Sequence, residues 1–459
     1  MPLVVGGTHG APKQAGSGHV GLFAAVSIGI GGMIGAGIFS ILGVVASVSG
    51  TALPLAFIIG GVVALLAAYS YVKLGVRYPS AGGSVQFLVQ GLGDGVLTGG
   101  LNVFQYIAYV ISIALYASGF AGYAMTFLPD DTPSIVERLI AAGIILLFTA
   151  VNFLGSAVMG KAESVIVAIK VLILLGFIVA SFFSLDADRL SPSGWDGASG
   201  ILFASGILFI GYEGFGLITN AAADMANPAK ELPKAVYIAV ATTIAIYVLV
   251  AIGVIGNISI PALEKAKDYA LAEAAEPFLG HFGFTLIAIA ALLSTSSAVN
   301  ATLYGASNVS YQIARDGQLP KTFTHAIWNR HVEGLFITGG LSIVFVLTFD
   351  LGPIAMMASA AFLIVYSAVN AAHLRVLAET GAKLAIVVAS LLACLVMFVL
   401  LMIYIIGNAP AASWVTLLAT LVGSFLIETV YRKRTGRHFE RLANPPAGPP
   451  PVAATASHG

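Results

Sequence analysis

Two ionisable side chains stand where an otherwise apolar chain accommodates charge least. Lys170 lies within Ser164-Val165-Ile166-Val167-Ala168-Ile169-Lys170-Val171-Leu172-Ile173-Leu174-Leu175, and Glu213 within Phe209-Ile210-Gly211-Tyr212-Glu213-Gly214-Phe215-Gly216. An ionisable residue deep in a membrane span is expensive and points by default to function. Lys170 is seven residues beyond Glu163, about 10 Å along a helix. Its stem could therefore lie in lipid with the ammonium at the headgroups. Alternatively it is a buried amine. Burial favours the uncharged form of an amine, so such a group could change charge as a cavity opens to either side. Glu213 could carry a proton, meet a cationic group, or stay neutral against freed backbone groups. Downstream, Ser294-Thr295-Ser296-Ser297 with Asn300 and Thr302 offers hydroxyls that could accept from an ammonium or coordinate a small cation. Such hydroxyls equally serve ordinary helix packing.

Glycine-rich stretches accompany this chemistry. One is Gly29-Ile30-Gly31-Gly32-Met33-Ile34-Gly35-Ala36-Gly37-Ile38-Phe39; the other carries Glu213. Glycine weakens a helix by roughly 1 kcal/mol relative to alanine. Irregular backbone at membrane depth survives only where it is buried in protein or lines a wet cavity. An unwound turn at Gly35, Ala36 and Gly37 would aim backbone N–H groups at an anion such as a carboxylate. Small residues also let membrane helices approach closely, so packing is the competing reading. The pairing of two breaks favours a site between them, where Tyr212 would supply an aromatic face and Phe209 and Phe215 bulk.

Of the 459 residues, 58% are hydrophobic and 9% charged, against about 25% charged in soluble domains. The chain reads as an all-α, polytopic membrane protein whose environment is the lipid bilayer. Its net charge of zero gives no reason to expect a nucleic-acid partner. The single cysteine, Cys394, excludes an intrachain disulfide and a multi-cysteine metal site. The eight histidines are scattered, and no nucleophile–base pair, Walker loop or dinucleotide fingerprint is present. Gly29-x-Gly31 follows no strand, which removes a Rossmann reading. Neither a metal, a catalytic constellation nor an organic cofactor is expected.

Twelve apolar stretches approach the roughly 20 residues a span needs: about 20–48, 52–75, 97–127, 136–154, 163–184, 200–222, 235–256, 280–310, 334–350 (short), 354–374, 382–405 and 411–431. With the N-terminus inside, sixteen of the 21 Lys and Arg fall on inner loops and tails. Four (Arg138, Arg189, Lys265, Lys267) fall on outer ones, and Lys170 is the remainder. This asymmetry places both termini in the cytoplasm. Residues 1–18 contain no apolar signal core, so the first span is expected to direct insertion. The glycine breaks occur in spans one and six, which enter from opposite sides; that is the pattern of an inverted repeat. The expected organisation is a cytoplasmic segment 1–19, a first repeat 20–184, a second repeat 200–375, two added spans within 382–431, and a cytoplasmic tail 432–459. The tail's Pro-rich run (Asn444-Pro445-Pro446-Ala447-Gly448-Pro449-Pro450-Pro451) predicts disorder.

Several motifs together resemble the amino acid–polyamine–organocation (APC) transporters over residues 18–440. They are Met33-Ile34-Gly35-Ala36-Gly37-Ile38-Phe39, Tyr78-Pro79-Ser80-Ala81-Gly82-Gly83, Glu213-Gly214-Phe215, Asn227-Pro228-Ala229-Lys230-Glu231-Leu232-Pro233 and Ala314-Arg315-Asp316-Gly317-Gln318-Leu319-Pro320. The chain is most similar to the prokaryotic, proton-coupled, broad-specificity (ApcT-type) branch. That resemblance implies a five-plus-five LeuT-like core with discontinuous helices 1 and 6, two added helices and a prokaryotic cell membrane. It implies sodium-independent amino-acid uptake, with a proton as the coupling ion. The substrate carboxylate would meet backbone around Ala36, Gly37 and Ile38, within a binding set that also takes in Ile34, Gly35, Phe209, Tyr212, Glu213 and Gly214. Its amino group would meet carbonyls near Ile210 and Gly211. Lys170 matches the branch's span-five lysine, expected near the Gly31 carbonyl and the hydroxyls of Ser294, Thr295 and Ser297. Glu213 falls at a position that varies across the family, which leaves open an exchanger or a carrier of cationic amino acids or polyamines. Oligomeric state has no signature in the chain.

Overall fold

The computed structural model describes residues 20–80, 82–154, 159–195, 197–315, 319, 323 and 333–435. The expected segment 1–19 and the Pro-rich run of the tail lie outside the described residues, as do Asp316, Gly317, Gln318 and Pro320 of the motif after span eight. Among the described residues there is no strand, only an isolated bridge between Gly50 and Trp195.

The first half holds α1 (Leu22–Ser49), α2 (Leu53–Arg77), the short α3 (Ser84–Leu92), α4 (Val96–Met125), α5 (Ser134–Leu154) and α6 (Met159–Phe182). The second holds α7 (Gly197–Leu208), α8 (Phe215–Asn220), α9 (Pro228–Asn257), α10 (Ile260–Lys265), α11 (Ala270–Arg315), α12 (Glu333–Thr348) and α13 (Leu351–Arg375). A single turn, α14 (Leu377–Thr380), precedes α15 (Leu384–Asn408) and α16 (Ala411–Thr435). Eleven segments are long and apolar enough to cross a bilayer, α7 through α8 counting as one. The short span expected near 334–350 is α12, whose 16 residues reach about 24 Å. Within α11, Gly280 adopts φ 60°, a left-handed conformation open to glycine, and divides a short leading helix from the span proper.

Burial follows position in the bundle. α1, α4, α13 and the α7–α8 element are enclosed by other helices, whereas α5, α6, α15 and α16 turn most of their length outward. Spans pack against their counterparts five later: α2 on α9, α4 on α11, α5 on α12. α6 lies on α11 as α13 lies on α4. Such reciprocity is the pattern expected of two inverted repeats. The connections segregate to two faces. On one, the Asp186 N–H donates to Gly256 O (2.9 Å) and Arg138 pairs with Asp350 (3.0 Å). On the other, the Val20 N–H donates to Asp224 O (3.0 Å), the Tyr78 hydroxyl donates to Glu379 (2.7 Å) and Arg432 pairs with Asp94 (2.8 Å). Lys73, Arg77, Lys230 and Arg375 share the second face with Arg432.

The expected break in span six is present, between α7 and α8. The expected break in span one is not: α1 runs as one helix from Leu22 to Ser49. Its glycines provide close approach instead of an unwound turn. Gly37 lies against Gly211 so closely that a Cβ on Gly37 would overlap the Tyr247 hydroxyl and stand 2.7 Å from Gly211 Cα. A Cβ on Gly214 would stand 2.5 Å from Met33 N. Helix one is thus pressed along its glycine face onto the broken helix.

Candidate substrate and coupling site

The break in span six has an identifiable cause. In a continuous helix the Ile210 N–H would bond the Gly206 carbonyl. The Ser359 hydroxyl of α13 occupies that link: it donates to Gly206 O (2.6 Å) and accepts from the Ile210 N–H (3.1 Å). A side chain inserted into the helical ladder bends or breaks the helix. Phe209–Tyr212 then tightens into a 3-10 turn, and Glu213 and Gly214 lead into α8. Replacing Ser359 by alanine is expected to let the Gly206–Ile210 bond close. Substrate uptake should fall about fivefold or more, commensurate with roughly 1 kcal/mol for one hydrogen bond, while thermal stability is maintained. Unchanged uptake would remove the wedge from the mechanism.

Helix one meets this break through main-chain atoms. The Tyr247 hydroxyl of α9 lies 2.5 Å from Met33 O and 3.1 Å from Gly211 O, sharing its one proton between helix one and the turn. The Ser294 hydroxyl donates to Ile34 O (3.3 Å), and the Tyr123 hydroxyl of α4 donates to Phe39 O (3.1 Å). A carbonyl has two lone pairs, so these carbonyls accept side-chain donors although α1 stays helical. Ile34, Gly35, Gly37 and Ile38 are buried, and Ala36 is described by its backbone alone.

Lys170 faces the protein interior. Its neighbours Ile169 and Leu172 are exposed on the outside of α6, whereas Lys170 is 1% exposed. Its ammonium donates to Gly31 O at 2.8 Å and approaches Gly35. The lipid-facing alternative for this side chain is thereby removed. Of the span-eight hydroxyls, Ser294 reaches the same stretch of α1, and Ser297 is buried. The Thr295 hydroxyl donates within its own helix, to Ala291 O (2.7 Å).

Glu213 is 4% exposed. Its Oε2 accepts from the Tyr116 hydroxyl of α4 (3.3 Å), and its carbonyl accepts from Tyr366 of α13 (3.1 Å). Tyr212 points away from helix one, donating to Phe57 O of α2 (2.8 Å). Phe209 packs against Tyr366, as does Phe215. Tyr116, Tyr247, Ser359 and Tyr366 were not among the candidates from sequence. Each sits in a mostly apolar run, and only the packing shows that all four converge on the two glycine stretches. Among the described residues no group of His, Cys, Asp and Glu could hold a metal.

The family model described as amino acid permease matches residues 20–435. An uncharacterized protein of Methanocaldococcus jannaschii is 43% identical over 426 residues, 91% of this chain and 96% of its own length. The Escherichia coli inner membrane transport protein YbaT is 35% identical, over 90% of this chain and 96% of its length. In fold, the chain is similar to a manganese transporter of Eremococcus coleocola, with TM-score 0.58, 14% identity, and 93% and 98% of the two chains covered. That likeness adds the LeuT-like architecture already visible in the paired spans. The chain is a multi-pass membrane transporter and belongs to the amino acid permease family of the APC superfamily.

Proposed function

We propose that this transporter couples uptake of amino acids of broad range to proton entry by alternating access, at a prokaryotic cell membrane with both termini cytoplasmic. The observation that carries the reading is the buried Lys170 ammonium on the Gly31 carbonyl at 2.8 Å. A protonated lysine there braces α6 against α1 and stands where a bound cation would otherwise hold these helices. A neutral amine is a weaker donor. Loss of its proton loosens α1, and α1 is the helix pressed against the turn that would grip substrate. In this reading the amino acid's carboxylate meets the backbone of Gly35–Ile38, and its amino group meets carbonyls of Ile210 and Gly211. Gly37 and Gly211 are in contact in this conformation, so substrate entry separates them. On the face bearing Arg138, the loop carrying Lys267 lies directly on Gly43 of α1, which suits a conformation closed on that side.

The test is uptake of a panel of radiolabelled amino acids into proteoliposomes, with and without an imposed pH gradient. An acid-outside gradient is expected to drive uphill accumulation of several neutral amino acids and to acidify the lumen as they enter. Equal uptake with and without the gradient, together with counterflow that needs no protons, would replace the reading with exchange.

A further inference from the structure

Glu213 has a chemistry that Lys170-based coupling does not use. Its carboxyl is enclosed at the broken helix, and among the described residues no lysine, arginine or histidine forms an ion pair with it. The Tyr116 hydroxyl, at 3.3 Å, is a long and single donor. The groups facing it from the surrounding helices are phenols. Tyr116 of α4 reaches its carboxyl and Tyr366 of α13 its carbonyl; Tyr71 of α2 packs edge-on against Phe215 and Tyr366, and Tyr109 of α4 packs on Phe362, the neighbour of Tyr366. Cys394 of α15 is also buried. α1 and α7 carry no titratable side chain. Tyr247 is committed to the Met33 and Gly211 carbonyls. Lys170 approaches α1 from its other side: Gly35 borders Ala298 of α11, whereas Gly32 borders Gly214.

An uncompensated carboxylate in such a place is strongly destabilising. The group therefore needs either a proton or a cation supplied by a ligand. Phenol rings around a carboxylate suit the second case, because their faces attract an ammonium. We infer that Glu213 is a second titrating site, at which a proton competes with the distal ammonium of a basic amino acid. This inference rests on the amino-acid reading of the site above. When a lysine-like substrate binds, the Glu213 O–H bond breaks and its proton leaves to water on the open side. The ammonium N–H then donates to the carboxylate. A neutral amino acid leaves the proton in place.

The transport consequence follows by balance. After a basic substrate is released inside, Glu213 is reprotonated from the inside and returns that proton outward. The outward proton cancels the inward one carried at Lys170, so only the charge of the substrate has moved. Uptake of neutral substrates, which carries one proton and one charge inward, is then driven by the pH gradient and the membrane potential together, and uptake of basic ones by the membrane potential alone.

The experiment measures binding of lysine, alanine and putrescine to the purified transporter in weakly buffered solution containing a pH indicator, from pH 5 to 8. Lysine is expected to release up to one proton per site more than alanine does. Its affinity should improve relative to alanine's by up to about tenfold per pH unit across the titration of Glu213. Glu213→Gln should abolish the extra proton and lower the lysine-to-alanine affinity ratio at least tenfold. The wild-type proton count and pH slope read the inference even if that variant does not fold. Lysine binding without extra proton release, or an unchanged ratio in the variant, overturns it. Failure to bind lysine while alanine binds also overturns it, and leaves the amino-acid reading intact. Failure of every amino acid to bind sinks that reading itself. Putrescine binding as tightly as lysine would overturn the amino-acid character of the cationic ligand.

Discussion

Lys170→Ala is expected to abolish proton-driven accumulation while leaving downhill flux. With one proton moved per substrate, a gradient of one pH unit supports about tenfold accumulation; the variant should equilibrate near a ratio of one. The argument is local. The wild-type ammonium holds the Gly31 carbonyl at 2.8 Å from a side chain that is almost entirely enclosed. Alanine removes both the donor and the charge, so α1 is left as it would be with a neutral lysine, whatever the pH. Lys170→Gln keeps a donor that does not titrate, and its exchange rate for a neutral amino acid, which leaves the Glu213 proton in place, should be independent of pH where the wild type's is not. These readouts separate a coupling role from a merely structural one, because a loosened bundle would depress flux in both directions without removing its pH dependence. Normal uphill accumulation by Lys170→Ala in sealed vesicles would reject the residue as the coupling group.

The orientation of Lys170 was not legible in the sequence. The run from Val165 to Leu175 is apolar on every side, so no hydrophobic stripe tells which way residue 170 points. Hydropathy located the spans well, because bilayer thickness imposes a length on each apolar run. It was weakest at α12, the run that falls short of that length. The break in span six was legible because Glu213 and six glycines or aromatics interrupt one apolar run. Helix one shows the limit of the same signal. Glycine marks unwinding and close packing alike, and what decides between them is the hydroxyl of Tyr247 and the backbone of Gly211, far away in the chain. The cause of the real break was equally hidden. Ser359 is one serine among the alanines of α13, and only its place between Gly206 and Ile210 gives it meaning.

The second large effect belongs to the contact between the two glycine stretches. Gly37→Ala is expected to reduce substrate binding and transport by about tenfold or more while the protein still inserts. An added methyl would overlap the Tyr247 hydroxyl and crowd Gly211 Cα at 2.7 Å. Forcing a group into a packed interior costs about 1–3 kcal/mol, and roughly 1.4 kcal/mol is a tenfold change in an equilibrium. The reciprocal change, Gly211→Ala, would place its methyl 2.9 Å from Gly37 Cα and should act in the same direction. Combining Gly37→Ala with Tyr247→Phe distinguishes the two obstacles. Removal of the phenol oxygen relieves one overlap, yet it leaves the methyl against Gly211 and strips a donor from the Met33 and Gly211 carbonyls. The double variant should therefore stay impaired. Binding measured by isothermal titration on the purified proteins provides the check. Wild-type affinity in the double variant would show that the tyrosine hydroxyl alone was the obstacle, and that backbone-to-backbone contact between helices one and six is not what shapes the site.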